Sequence, residues 1–154
     1  MADEIERRFL VIPSKLPKLD EGLGLTQFYL GLDPWVRVRF SDTAAWITIK
    51  GRGTILRPEF EYEIPVRDAQ AMLPMCLGLL NKIRYRIGRW DVDEYLSVGL
   101  KGLWLAEIEL QSVEETFELP PWVSREVTED VRFTNAELAI SGWPEDIAIW
   151  KPHE

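Results

Sequence analysis

Charged side chains occupy alternate positions along this chain, and their types and spacing suit phosphate chemistry. Glu4 and Glu6 form one Glu-x-Glu pair, Glu107 and Glu109 another. Grouped carboxylate oxygens are the ligands that Mg²⁺ and Mn²⁺ prefer. Basic residues alternate in the same manner: Arg37 with Arg39, and Lys82 with Arg84 and Arg86, while Arg8, Lys50 and Arg57 take similar places elsewhere. Arg offers phosphate oxygens a bidentate fork and Lys a point charge. Phosphoryl transfer needs positioning, neutralised charge and an oriented nucleophile, for which metal-activated water serves. Each short motif is a weak signal by itself, so the elements that carry them decide their meaning.

On a β-strand a side chain shares its face with the residues two before and two after it. The patterning predicts strands at 3–12, 25–31, 34–41, 44–51, 57–65, 81–88, 90–96 and 103–112. In the first, Glu4, Glu6 and Arg8 face one way and Ile5, Arg7 and Phe9 the other. The division recurs for Arg57, Glu59, Glu61 and Glu63 against Phe60, Tyr62 and Ile64, for Asp91 and Asp93 against Trp90 and Val92, and for Glu107 and Glu109 against Ala106 and Ile108. An antiparallel sheet with one face in water also alternates in this way. Two features favour another arrangement. Acids dominate some strands and bases others, and the triple Glu59, Glu61, Glu63 repels itself unless something compensates it. A sheet closed around a wet, charged lumen supplies that compensation, and about eight strands enclose a space of small-ligand size. A helix is expected from Asp68 to about Leu80, kinked or split at Pro74, with shorter helices at Ser124–Asp130 and Asn135–Ser141. The expected class is α+β, in one domain spanning residues 1–154.

Composition narrows the chemistry. At 46% apolar and 29% charged, the 154 residues suit a folded globular protein. A net charge of −8 offers nothing to displace counterions from a nucleic acid, although local basic clusters can still hold a small phosphate. The one histidine, His153, argues against histidine-based metal sites and triads, and the one cysteine, Cys76, leaves no internal disulfide and suits the cytoplasm. No apolar run reaches the roughly 20 residues of a membrane span, and the acidic N-terminus is unlike a signal peptide.

Taken in order, these segments resemble the CYTH superfamily, the triphosphate tunnel metalloenzymes. Glu4-Ile5-Glu6-Arg7-Arg8 is similar to the family's Glu-x-Glu-x-Lys, with Arg8 in the lysine position. The likeness continues through Gln27-Phe28-Tyr29-Leu30, Arg37-Val38-Arg39, Thr48-Ile49-Lys50-Gly51, Arg57 to Pro65, Lys82-Ile83-Arg84-Tyr85, Trp90 to Asp93, Leu105 to Leu110, Pro121-Trp122, Glu126-Val127-Thr128 and Arg132 to Asn135. It implies an eight-stranded antiparallel β-tunnel with helices packed outside, one or two divalent ions (Mg²⁺ or Mn²⁺), and a bound small-molecule triphosphate, in a monomer or homodimer.

Carried over by position, Glu4, Glu6, Glu107 and Glu109 would hold metal; Arg8, Arg37, Arg39, Lys50, Arg57, Lys82 and Arg84 would hold phosphate. Glu59, Glu61, Glu63, Asp91 and Asp93 would form the acidic side, with Arg8, Glu61, Glu63 and Asp93 assigned to the catalytic step. Arg8 retains the lysine's charge but changes its reach, and it cannot exchange a proton. Ile83 replaces a family threonine on the opposite face. The expected activity is metal-dependent hydrolysis of inorganic tripolyphosphate or a nucleoside triphosphate. A class IV-type adenylate cyclase and a non-catalytic polyphosphate binder are the alternatives. The seven tryptophans are expected in outer packing or an interface, Cys76 as a small buried apolar group, and the 142–154 tail as a candidate plug for one tunnel mouth.

Overall fold

The computed structural model describes residues 3–144. Nine strands and two helices follow one another: β1 (Asp3–Val11), β2 (Leu23–Leu32), β3 (Trp35–Phe40), β4 (Ala45–Lys50), β5 (Leu56–Ile64), α1 (Val66–Met72), β6 (Gly78–Ile87), β7 (Trp90–Tyr95), β8 (Trp104–Glu109), β9 (Val123–Glu126) and α2 (Asn135–Ser141). The first eight strands close an antiparallel barrel in the order β5-β4-β3-β2-β6-β7-β8-β1, sealed where β1 returns to β5. The α+β tunnel expected from the alternation is the fold observed.

β1 has two partners along one edge. Asp3 to Ile5 pair with β5, while Phe9 and Val11 pair with β9. This explains a difference from expectation: Val123–Glu126 is a strand and not the start of a helix. β5 begins only at Leu56, so the upper half of β1 would otherwise leave backbone donors and acceptors unpaired, and that need outweighs local helix preference. The helix expected to reach Leu80 ends at Met72, and a 3₁₀ turn at Leu73–Met75 follows. Pro74 cannot donate to a continuing helix, and the chain is extended again by Gly78. The Asn135–Ser141 helix forms as expected, with Thr134 Oγ1 accepting from the Glu137 N–H at 3.2 Å and Gly142 ending it at φ +75°.

Apolar residues pack on both sides of the wall. Outside, Phe9, Trp90, Val92, Ile108 and Trp122 form one cluster, and Phe28, Val38 and Ala45 meet Ala69 of α1 in another. A third cluster fills one end of the barrel: Leu10, Leu80, Tyr95 and Leu105, of the same parity as the ionic residues on their strands, meet Phe133 and Leu138. Trp143 packs against this cluster. Residues 131–143 thus cap that end, while the tail beyond Pro144 lies outside the described residues. No helix among the described residues is long and apolar enough to cross a membrane.

Candidate active site

Between cap and open mouth lies a cavity of about 150 Å³ walled almost wholly by charged side chains. β1 contributes Glu4, Glu6 and Arg8; β3 Arg37 and Arg39; β4 Lys50; β5 Arg57, Glu59 and Glu61; and the far wall Arg84, Asp91, Glu107 and Glu109. Period-two alternation places them there, because each strand's even or odd set points inward.

Of the four expected metal ligands, Glu6 and Glu107 touch, and Glu109 lines the same cavity. Glu6 stands opposite Glu109 in register, and Arg8 opposite Glu107. Burial, then the charge of Glu107 and a hydrogen bond with it, push the Glu6 carboxyl well above the ordinary range. Burial opposes ionisation of Glu107 as well, but Arg8 and the bond from Glu6 hold it well below that range. The two carboxyls therefore titrate as a pair in which Glu6 favours the protonated form and Glu107 the ionised one.

Glu4 is engaged elsewhere. Its carboxylate accepts from Lys50 Nζ at 3.0 and 3.1 Å and from Arg57 Nε at 3.1 Å. Burial works against its charge, yet Lys50 and Arg57 prevail and hold it at about 2. Neighbouring Glu59, 3.3 Å from Lys50 Nζ, is pushed up to about 7 by burial and by Glu4. Among the described residues no three acids are already gathered closely enough to encage a metal ion. The donor set nevertheless fits a hard divalent cation: it is all carboxylate oxygen, and Glu6 and Glu107 are held against one another where a second positive charge would relieve their mutual repulsion.

The cations divide into paired and unpaired. Arg84 forks onto Asp93 at 2.8 and 2.9 Å and reaches Glu107 at 3.2 Å. Arg37 donates to Thr48 Oγ1 at 3.2 Å and to Glu61 at 3.4 Å. Arg39 has no ion-pair partner among the described residues, and its buried Nε has no hydrogen bond. Burial first, then the nearby charges of Arg37 and Arg84, hold its guanidinium down at about 10.

Several expected residues stand apart from the cavity. Lys82 and Asp93, with side chains 0% and 1% exposed, form an ion pair of 2.8 Å deeper in the barrel, toward its filled end. There burial pulls the Lys82 amine down to about 7 despite Asp93. Glu63 is solvent-exposed opposite Trp46 and does not line the cavity. The self-repelling triple on β5 is relieved strand by strand: Glu59 by Lys50, Glu61 by Arg37 and Thr48, Glu63 by water.

Four lining residues had been given no role in the site. Trp35 corrects the expectation of purely outer tryptophans: it lines the cavity, with Arg57 Cζ 4.5 Å from its ring. Its parity with Arg37 and Arg39 carried that information. Trp46 shares the inward parity of Thr48 and lies 5.8 Å from Arg39 Cζ. Tyr29 lines the wall, readable from its spacing to Gln27, and accepts from Gln27 Nε2 at 3.1 Å. Thr134 and Asn135 form part of the floor, and no local pattern marks a cap residue as lumen-facing.

Known proteins with this arrangement are recognisable by sequence. The chain is 39% identical over 147 residues to an inorganic triphosphatase of Acetivibrio thermocellus, covering 90% of this chain and 94% of that protein. It is 33% identical over 150 residues to an inorganic triphosphatase of Nitrosomonas europaea, covering 90% and 97%. The crystal structure of an inorganic triphosphatase superposes with a TM-score of 0.64 at 31% identity, covering 92% of this chain and 97% of that one. With the CYTH domain profile matching residues 2–137, the barrel and its charged lumen have a clear relationship: the chain belongs to the CYTH domain family.

Proposed function

We propose that this protein is a divalent-metal-dependent triphosphatase that hydrolyses a terminal phosphoanhydride of inorganic tripolyphosphate in its lumen. The carrying observation is Arg39, a half-buried guanidinium with no ion pair among the described residues, facing two others, Arg37 and Arg84. Three cations turned toward one space, one of them in no direct ion pair, form a site for a polyanion. The named activity of the two relatives supports the choice of substrate.

In this proposal Arg37, Arg39 and Arg84 bind the phosphate chain, and Lys50 and Arg57 extend that cationic wall while held by Glu4. Glu6, Glu107 and Glu109, joined by Glu4, hold Mg²⁺ or Mn²⁺. When bound, the metal neutralises phosphate charge and lowers the pKa of a coordinated water. The acids at the mouth, Glu59, Glu61 and Asp91, keep the neighbouring cations oriented. Water adds to the terminal phosphorus, the bond to the bridging oxygen breaks, and orthophosphate and pyrophosphate result. We place the protein in the cytoplasm, which suits its lone Cys76.

Phosphate release from tripolyphosphate with Mg²⁺ or Mn²⁺, abolished by EDTA, is the expected result. Cyclic AMP as the main product from ATP would replace this reading with a cyclase. Tight binding of tripolyphosphate without turnover would leave only a binding protein.

A further inference from the structure

The guanidinium of Arg8 is used differently from the other cations of the lumen. Its Nη2 donates to Glu107 at 2.8 Å and to Glu6 at 3.1 Å, while its Nη1 donates to the carbonyl of Phe133 at 3.2 Å. Its Nε is buried with no hydrogen-bond partner. The backbone of Arg8 is tied to the same C-terminal segment. Its N–H donates to Thr128 Oγ1 at 3.0 Å, and its carbonyl accepts from the Val127 N–H at 2.8 Å. Both protons of Nη2 are thus committed to carboxylates, and Nε is sealed from the cavity, leaving no fork for phosphate.

We propose that Arg8 is a positioning residue: it holds the Glu6–Glu107 pair at a fixed separation and anchors it to residues 127–133, while the phosphate chain is left to Arg37, Arg39 and Arg84. This rests on the triphosphatase reading for the use of the pair, but the arrangement stands on geometry alone. Once both acids are ionised, as a metal requires, they repel across neighbouring strands, and without a cation between them they separate or drift with their strands. A metal must then pay to reassemble them, whereas Arg8 keeps them assembled. The side chain can do this because it is straddled by the cap: the segment that closes the barrel end also fixes the residue that fixes the acids. The other cations against the pair each reach one member: Arg57 is 3.8 Å from Glu6 and bound mainly to Glu4, and Arg84 reaches Glu107 at 3.2 Å while forked onto Asp93, so neither bridges both acids as Arg8 does.

The test compares Arg8→Met, Arg8→Lys and Thr128→Val with the unaltered protein, using calorimetric titration of Mn²⁺ and, separately, of tripolyphosphate in EDTA. By analogy with residues that orient metal ligands, Arg8→Met should lose about 10–100-fold in Mn²⁺ affinity while metal-free tripolyphosphate binding changes by about threefold or less. Arg8→Lys restores part of the loss, because an ammonium reaches Glu107 but lacks the second arm to Phe133. Thr128→Val leaves every charge in place and should still weaken Mn²⁺ binding measurably. Unchanged Mn²⁺ affinity in Arg8→Met overturns the proposal. So does a loss of metal-free tripolyphosphate binding as large as the Mn²⁺ loss, which would make Arg8 a phosphate ligand. Should Arg8→Met fail to fold, Arg8→Lys and Thr128→Val decide by the same two criteria. Unaltered protein that binds Mn²⁺ but releases no phosphate overturns the functional reading alone, and the Arg8 comparison still decides its own question.

Discussion

Replacing Arg39 with methionine should make the unliganded protein more stable and its ligand weaker. Arg39 is charged at neutral pH whether the chain is folded or not, but in the barrel burial and two neighbouring guanidiniums hold it at about 10 against an ordinary 12.5. That difference corresponds to roughly 3 kcal/mol by which the folded state disfavours the charge. The sign follows directly: at pH 7 both states carry the proton, so the whole penalty is present, and it is relieved only as pH passes about 10. Methionine keeps most of the volume against Trp46 and removes the charge. Allowing for lost packing, the gain is about 1–3 kcal/mol, and at roughly 2–4 °C per kcal/mol for a chain of this size the Tm rises by about 3–10 °C. Tripolyphosphate binding should fall roughly 10–100-fold, the worth of one charged hydrogen-bonding partner. Thermal melts with and without tripolyphosphate, both in EDTA, read the two effects at once. A fall in the unliganded Tm, or an undiminished shift on adding tripolyphosphate, would refute the reasoning that Arg39 is a strained cation kept for an anion.

Two further outcomes follow from the charge arrangement. Asp93→Asn strips the carboxylate from buried Lys82 and from Arg84, so thermal melts should show a loss of about 3–5 kcal/mol, with the Tm down by roughly 6–20 °C; a loss under about 1 kcal/mol would show that the pair is not interdependent. Glu59, held at about 7, is neutral below that pH and ionised above it, so KM for tripolyphosphate at saturating Mn²⁺ should rise as pH climbs through 7, and Glu59→Gln should flatten the rise; an unchanged profile in the variant would assign the titration elsewhere.

Strand parity was legible because the period of two is imposed by backbone geometry and needs no partner. Alternation alone placed Glu4, Glu6, Arg37, Arg39, Lys50, Glu107 and Glu109 on lumen faces, and the structure finds them lining one cavity. The same rule holds for Trp35, whose parity with Arg37 and Arg39 turns it into the cavity against the expectation of outer tryptophans. The helix expected at Ser124–Asp130 rests on local preference, whereas the strand Val123–Glu126 depends on the exposed edge of β1, more than a hundred residues earlier. Lys82 and Asp93 share the parity of their lumen-facing neighbours but lie too far along their strands, where the barrel is already filling with apolar side chains.

The sequence by itself thus determined which faces are ionic and how the signs are segregated. Closure of the sheet around a lumen was one of two arrangements the pattern allowed, and the one that the family resemblance implied. Only the tertiary structure decided which charge meets which. Strand register and the stagger of the closed sheet set Glu6 against Glu109 and Arg8 against Glu107. They give Glu4 to Lys50 and Arg57, and leave Arg39 with no direct ion pair among the described residues. The physical reason is range: side-chain direction is a local property of a strand, whereas an ion pair depends on distances set by every strand between its members.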